Sequence, residues 1–316
     1  MAIQHLQRQP LALAGLLLAG VLFMLLSGRG FGSTYNLYVL LAGFSITMLV
    51  ALSQLIVLAI GQTNLATGSI GALGAIIAGG LMQELGVAPF WSCSAAVVAG
   101  GLAGAVNGVV VNLTRLNSFI VTLATFAIYR GLVYAVTEAQ PYYGLPEGFK
   151  EFGIARWGAV PVMFVPVVLI LVGLIVFFGR MRFGRAVLAT GANQQGARLG
   201  LLPVAGVVLF CHVLSGLLAA LAGIVTAARL QSAWPTVGDT WLLTSFAAPI
   251  LGGTALSGGK VSVVGAALGV AVIALAENAL ILYAVDPYWF QLAIGALLFG
   301  TVVATATGSR GTEFAR

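Results

Sequence analysis

The chain has 316 residues, of which 60% are hydrophobic and only 7% charged, with a formal net charge of +6 and a mean hydropathy of +1.07. Soluble domains carry about 25% charged residues, so this composition excludes a water-soluble globular enzyme and a disordered chain alike. The two cysteines, Cys93 and Cys211, both lie inside apolar runs and offer neither a disulfide framework nor CxxC metal spacing.

What remains is an all-α polytopic membrane protein, read as a single transmembrane domain over 1–316. A span needs about 20 apolar residues to cross about 30 Å of hydrocarbon. Ten runs are candidates, in chain order roughly 11–27, 37–60, 65–83, 90–113, 118–137, 158–179, 204–228, 240–257, 261–285 and 287–307. Their continuous Leu, Ala, Val and Gly content lacks the alternation of lipid-facing strands and excludes a transmembrane β-barrel. The first run follows Arg8, exceeds a signal-peptide core and leads into Ser-Gly-Arg-Gly instead of a cleavage motif, so it reads as a retained helix. The third and eighth runs are short and rich in glycine and hydroxyls, and read as broken or re-entrant. An offset of five spans allows helices 2–5 and 7–10 to form an inverted repeat.

Ten spans put both termini on one side. Nine of the lysines and arginines fall there, among them Arg180, Arg182, Arg185, Arg198, Lys260, Arg310 and Arg316, against Arg29, Lys150, Arg156 and Arg229 on the other. That bias predicts cytoplasmic termini in a bacterial inner membrane. The positive charge is therefore a topology signal in contact with membrane lipid, and nucleic acid is not an expected partner. Two loops stand out. The outer one, about 138–157, is rich in proline, glycine and aromatics, and reads either as a docking surface or as an interfacial connector. The inner one, about 180–203, carries four arginines and contains Gly191-Ala-Asn-Gln-Gln-Gly-Ala-Arg-Leu-Gly200. Asn193 can cap a short helix starting at Gln194, which reads as a contact for a soluble partner or as a plain basic linker.

The 42 glycines recur at four-residue spacing, as in Gly100, Gly104 and Gly108, or Gly265 and Gly269. In lipid such stripes allow close backbone approach, and helix packing is the first reading.

Chemistry-bearing motifs are scarce. His5 and His212 cannot build a multi-histidine metal site, and neither HExxH nor GxSxG occurs. The stretch Thr254-Ala-Leu-Ser-Gly-Gly-Lys260-Val261 misses a Walker loop at its first and last positions, so no cofactor is expected in this chain. Two charges fall inside spans, Arg130 and Glu277, at similar depth. Charges there should face protein or water, so the two either pair, share a cavity or snorkel. Asn64, Thr67, Ser69, Asn107, Thr122, Thr125, Tyr129 and Asn278 add uncharged hydroxyls and amides. As a group they suit a path for a neutral polyhydroxylated solute, and individually they equally suit interhelical hydrogen bonds.

Several stretches together resemble the permease subunits of ribose-type bacterial ATP-binding-cassette sugar importers. They are Asn107-Gly-Val-Val-Val, Phe119-Ile-Val-Thr-Leu-Ala-Thr with Tyr129-Arg130-Gly131-Leu132, Leu214–Gly223, Leu251–Gly259 and the Gly191–Gly200 loop. The resemblance implies a non-enzymatic transport subunit in a dimer with a second copy or a paralogue. It also implies two cytoplasmic ATPase subunits that use the ATP, and an external periplasmic sugar-binding protein. Gly191, Asn193, Gln194, Gln195, Ala197, Arg198, Leu199 and Gly200 would form the coupling helix that meets the ATPase. The chain departs from the family pattern at Asn64, Leu242, Thr244, Gln194 and Gln195, where acids are usual, and at Glu277, commonly Asn. The rival expectation is an ion-coupled secondary transporter using Arg130 and Glu277.

Overall fold

The computed structural model describes residues 2–286, 289–292, 294–296 and 299–300. Most of the predicted last span, 287–307, lies outside the described residues, as do Arg310 and Arg316. The first nine predicted runs each form a helix: α1 (Ala2–Leu26), α2 (Thr34–Leu58), α3 (Thr67–Gln83), α4 (Pro89–Thr114), α5 (Ser118–Thr137), α7 (Phe164–Arg180), α10 (Val204–Leu230), α11 (Trp241–Leu251) and α12 (Val263–Leu282). Between them lie α6 (Glu147–Ile154), a two-residue hairpin β1 (Arg156–Trp157) and β2 (Val160–Pro161), α8 (Arg182–Ala192) and α9 (Gln194–Leu199). Side-chain caps start several helices: Ser33 accepts from the Asn36 amide, Asn117 from Phe119, and Ser262 from Gly265.

Among the described residues, five helices, α2, α4, α5, α10 and α12, are long and apolar enough to cross a membrane, and α7 with α8 makes a sixth candidate bent by 73°. The two runs expected to be broken are short. α3 has 17 residues and α11 has 11; at 1.5 Å per residue α11 extends only about 16 Å. Each is preceded by a non-helical stretch, 59–66 before α3 and 231–240 before α11.

α10 is the central helix, packed against α2, α3 and α4, while α2 packs against α10, α11 and α12. Glycine makes these contacts close. Gly100 and Gly104 of α4 abut the backbone of Gly216 and His212 in α10, and Gly71 of α3 abuts Ala219 and Gly223. Gly265 and Gly269 of α12 lie on Gly252 and Ala248. The glycine stripes are thus the packing surfaces their spacing predicts. α3 starts about halfway along α10, where Gly68 meets Gly238 of the stretch that leads into α11. Exposed Leu102 and Leu113 on α4, and Leu123, Ile128 and Leu132 on α5, form the apolar outer faces that a bilayer would cover.

The two ends of the bundle differ. At one, Tyr142 and Ala233 exchange backbone hydrogen bonds of 2.9 Å, pinning the 138–157 segment to the stretch after α10. Helix α6 forms in that segment directly after Pro146, the N-cap. At the other end, the Walker-like stretch is a tight turn. Gly258 and Gly259 adopt φ of +84° and +77°, and the Gly259 amide donates to Ala59 at the end of α2 at 3.0 Å. Gly191 abuts both Ala59 and Gly259, and Gly61 abuts Gly258.

A side chain at Gly223 has nowhere to go, since its Cβ would meet the Gly71 backbone. Gly223→Val is expected to cost about 1–3 kcal/mol and to lower the thermal midpoint of the purified protein. Gly131→Ala, whose Cβ would meet open space, is expected to leave that midpoint in place.

Candidate functional site

Backbone that leaves a helix inside an apolar bundle must find other hydrogen-bond partners. In the stretch before α3, the partners are hydroxyls of α5 and α10, of which Thr122 was expected as a path residue and Ser118 and Ser215 were not. Thr63 donates its amide to Ser118 Oγ at 3.0 Å, and Leu65 donates to Thr122 Oγ1 at 3.1 Å. Thr122 Oγ1 donates in turn to the Ser118 carbonyl at 2.7 Å. Asn64 Nδ2 donates to Ser215 Oγ of α10 at 2.9 Å, while its Oδ1 accepts from the Ala66 amide. Thr67 donates to the Asn64 carbonyl, Ser69 to that of Ala66 and Thr125 to that of Thr122. Tyr129 Oη reaches the Ala103 carbonyl of α4 at 2.9 Å. Gln62 Oε1 and His212 Nε2 lie 2.9 Å apart. Asn107 is fully buried on the α4 face that meets α10, and its amide has no protein partner. The structure therefore places Asn64, Thr67, Ser69 and Thr122 in the hydrogen bonding of one linker, whereas Thr125 bonds within α5 and Tyr129 bonds to α4.

The two intramembrane charges part company. Arg130 forms a two-pronged pair with Asp239, Nη1 to Oδ1 at 2.6 Å and Nη2 to Oδ2 at 2.7 Å, and also donates to Tyr134 Oη at 2.9 Å. Glu277 instead faces Arg229. Of the alternatives open for these two charges, the direct Arg130–Glu277 pair is thereby corrected. Similar depth did not bring them together because α5 packs against α3 and α4, whereas α12 packs against α1, α2 and α11. Asn278 pairs reciprocally with Asn36 of α2, at 2.8 and 3.1 Å, which fastens the α2–α12 seam.

Glu277 also lines a cavity of about 440 Å³ with Thr240, Leu243, Thr244, Phe290, Gln291 and Ile294. Two hydroxyls, an amide, a carboxylate and one aromatic ring surround a space within the range for small-molecule sites. The set can exchange hydrogen bonds with a hydroxylated solute and stack on one of its faces. It holds no nucleophile with an activating base, and the described residues contain no group of three His, Cys, Asp or Glu that could hold a metal. Of the residues expected to form a path, only Glu277 borders this cavity. Thr240, Asp239 and Gln291 were missed; the signal for the first was its i,i+4 relation to Thr244 at the start of α11.

On the opposite end, α9 forms where the Asn193 cap predicts, with Asn193 Oδ1 accepting from the Gly196 amide at 2.9 Å. Ala197 is buried and anchors the helix. Gln194, Gln195, Arg198 and Leu199 are exposed, and the apolar Leu199 and Leu201 are 86% and 92% accessible. The preceding α8 replaces what reads in the sequence as a linker. Leu199 ends α9 and Leu201 follows it, so two exposed leucines stand together at this end of the bundle, next to Arg198.

Comparisons with known proteins fit this geometry. The chain is 33% identical over 285 residues to the D-allose transport system permease protein of Escherichia coli K12, covering 89% of this chain and 86% of that protein. It is 34% identical over 265 residues to the ribose import permease protein of Bacillus subtilis 168, covering 83% and 82%. It is 31% identical over 266 residues to the autoinducer 2 import system permease protein of Yersinia enterocolitica, covering 81% and 74%. Residues 36–302, from the start of α2 onward, match the family described as branched-chain amino acid transport system / permease component, and the chain belongs to that family.

Proposed function

We propose that this chain is the membrane-spanning subunit of an ATP-driven importer and carries a monosaccharide or similar small polyol. The observation that carries the reading is the cavity of Thr240, Thr244, Glu277, Phe290 and Gln291, set at the N-terminus of a half-length helix inside a permease-family bundle. Discontinuous helices starting near mid-depth are where transporters place their cargo. The hydroxyl, amide and carboxylate groups replace the water hydrogen bonds that a sugar gives up. The names of the ribose and allose relatives point to the same substrate class.

In this reading α3 and α11, each with its preceding stretch, complete broken spans, which supports ten crossings with the last in 287–307. The packing is symmetric when α2, α3 and α4 are exchanged for α10, α11 and α12: α2 lies on α11 and α12 as α10 lies on α3 and α4. That symmetry of packing supports the inverted repeat. The arginine-rich end faces the cytoplasm with both termini, in an inner membrane. There α9 would dock on an ATPase subunit that binds the ATP, through Gln194, Gln195, Arg198 and Leu199. The 138–157 segment at the far end would receive a periplasmic sugar-binding protein, and a second permease copy or a paralogue would complete the dimer.

Reconstitution with the ATPase and binding protein tests the assignment. Thr244→Val and Glu277→Gln are expected to lower sugar uptake about tenfold, the effect of one lost hydrogen bond to a polar ligand, while leaving ATPase co-purification intact. Uptake driven by a pH gradient with no ATPase present would defeat the reading in favour of ion coupling. The separate engagement of Arg130 by Asp239 and of Glu277 by Arg229 favours the ATP-driven reading.

Leu199→Asp is expected to reduce ATPase co-purification at least fivefold with the permease still monodisperse, because it places a charge on an exposed docking residue. Unchanged co-purification would remove α9 from the contact.

For the ion pair, Arg130→Asp and Asp239→Arg are each expected to impair uptake. The double exchange should restore more than either single change, as a positional role for the start of α11 requires. With both side chains about one-third exposed, the stability effect is expected to stay near 1 kcal/mol or below.

A further inference from the structure

We propose that a cleft at the end of the bundle where α2 begins and α10 ends binds the phosphodiester headgroup of an anionic membrane phospholipid. The cleft has a volume of about 450 Å³ and is lined by Tyr35, Tyr38, Val39, Ile154, Arg156 and Arg229. These residues come from α2, the end of α6, the β1 strand and the end of α10, so the site exists only in the folded protein.

The charge is arranged for a ligand. The Arg156 guanidinium lies 5.9 and 5.2 Å from the ring centres of Tyr35 and Tyr38, which hold its plane without neutralising it. Among the described residues no carboxylate lies within ion-pair distance of Arg156. Among the described residues that line the cleft and the adjoining small cavity, which share Val39 and Arg229, the one carboxylate is Glu277, facing Arg229. Two cations and one carboxylate leave a single positive charge, which one phosphodiester balances. A guanidinium meets phosphate oxygens in a two-pronged geometry, and two of them can grip one group.

The rim identifies the source of the phosphate. Tyr35, Ile154, Trp157 and Leu230 are 66%, 48%, 66% and 53% exposed. A free anion gains nothing from such a rim. The glycerol and upper acyl carbons of a phospholipid would cover it, and Tyr and Trp concentrate at this interfacial level. Basic pockets between membrane helices take anionic headgroups in the same way.

Native mass spectrometry of the full chain in detergent, with phosphatidylglycerol added, tests the site. Wild type is expected to retain one phosphatidylglycerol that survives challenge with millimolar inorganic phosphate, and to retain phosphatidylcholine more weakly. Arg156→Ala should weaken phosphatidylglycerol retention about tenfold, with Arg156→Lys intermediate. Tyr38→Leu, which keeps both charges but removes the ring beneath Arg156, should also weaken it, and stands in if Arg156→Ala fails to fold. Retention unchanged in both Arg156→Ala and Tyr38→Leu would overturn the proposal, as would equal retention of phosphatidylcholine. Displacement by inorganic phosphate would make a free anion the ligand and overturn the lipid. If Arg156→Ala spared lipid retention but abolished ATPase stimulation by the binding protein, the arginine would serve protein docking instead.

Discussion

Everything in this bundle follows from the cost of leaving a helix inside an apolar medium. An amide or carbonyl in hydrocarbon without a partner costs several kcal/mol, yet two stretches, 59–66 and 231–240, abandon the helix beside the central α10. The structure meets that demand with side chains and with backbone contact. Ser118 and Thr122 of α5 accept the Thr63 and Leu65 amides, and Ser215 of α10 holds Asn64. On the other stretch, the Tyr142–Ala233 exchange and the Arg130–Asp239 pair fix both ends. Glycine does the rest: Gly68 and Gly238 let the first turn of α3 touch the stretch that leads into α11. The uncharged hydroxyls of α5 are therefore part of what allows half-helices at all.

This explains what could and could not be read from the residues. Helix positions were legible because continuous apolar runs have one stable form in lipid: each of the first nine runs holds a helix, although the sixth opens in the hairpin and the eighth is helical only over Trp241–Leu251. The third and eighth runs, with their glycines and hydroxyls, formed the short helices α3 and α11, while the 73° bend between α7 and α8 carried no such mark. Asn193 marked α9 because an Asn side chain has a specific partner two or three residues ahead. Helix adjacency was not legible. Arg130 and Glu277 have similar depth and complementary charge, but nothing local to either residue encodes that α5 and α12 lie on different sides of α10. Likewise Thr122 and Asn64 looked like cargo contacts because a polar side chain in an apolar helix carries the same signature whether it faces a cavity or a linker. The cavity residue Thr244 was visible only as a departure from a family pattern.

The remaining question is how one end of the molecule could inform the other. The α9 surface is anchored through Ala197 and through Gly191, which sits on Ala59 and Gly259. Ala59 closes α2, and Gly259 belongs to the turn that joins α11 to α12. Through Gly191 of α8, the segment that carries α9 meets the end of α2 and the turn between α11 and α12, the two helices that line the cavity. Substituting any of Gly61, Gly191, Gly258 or Gly259 would push backbones apart at that junction; interfaces this tight are stable in discrete packings and resist gradual deformation. From the far end, Tyr142 holds Ala233, and the 231–240 stretch runs directly into Thr240 and α11. The eleven residues of α11 are thus gripped at their start by the segment beneath the proposed binding-protein dock and at their finish by the turn beneath α9. Among the described residues, α11 is a short element held at both ends with its first turn in the wall of the proposed cargo cavity, and it is the element that links the two proposed docking surfaces.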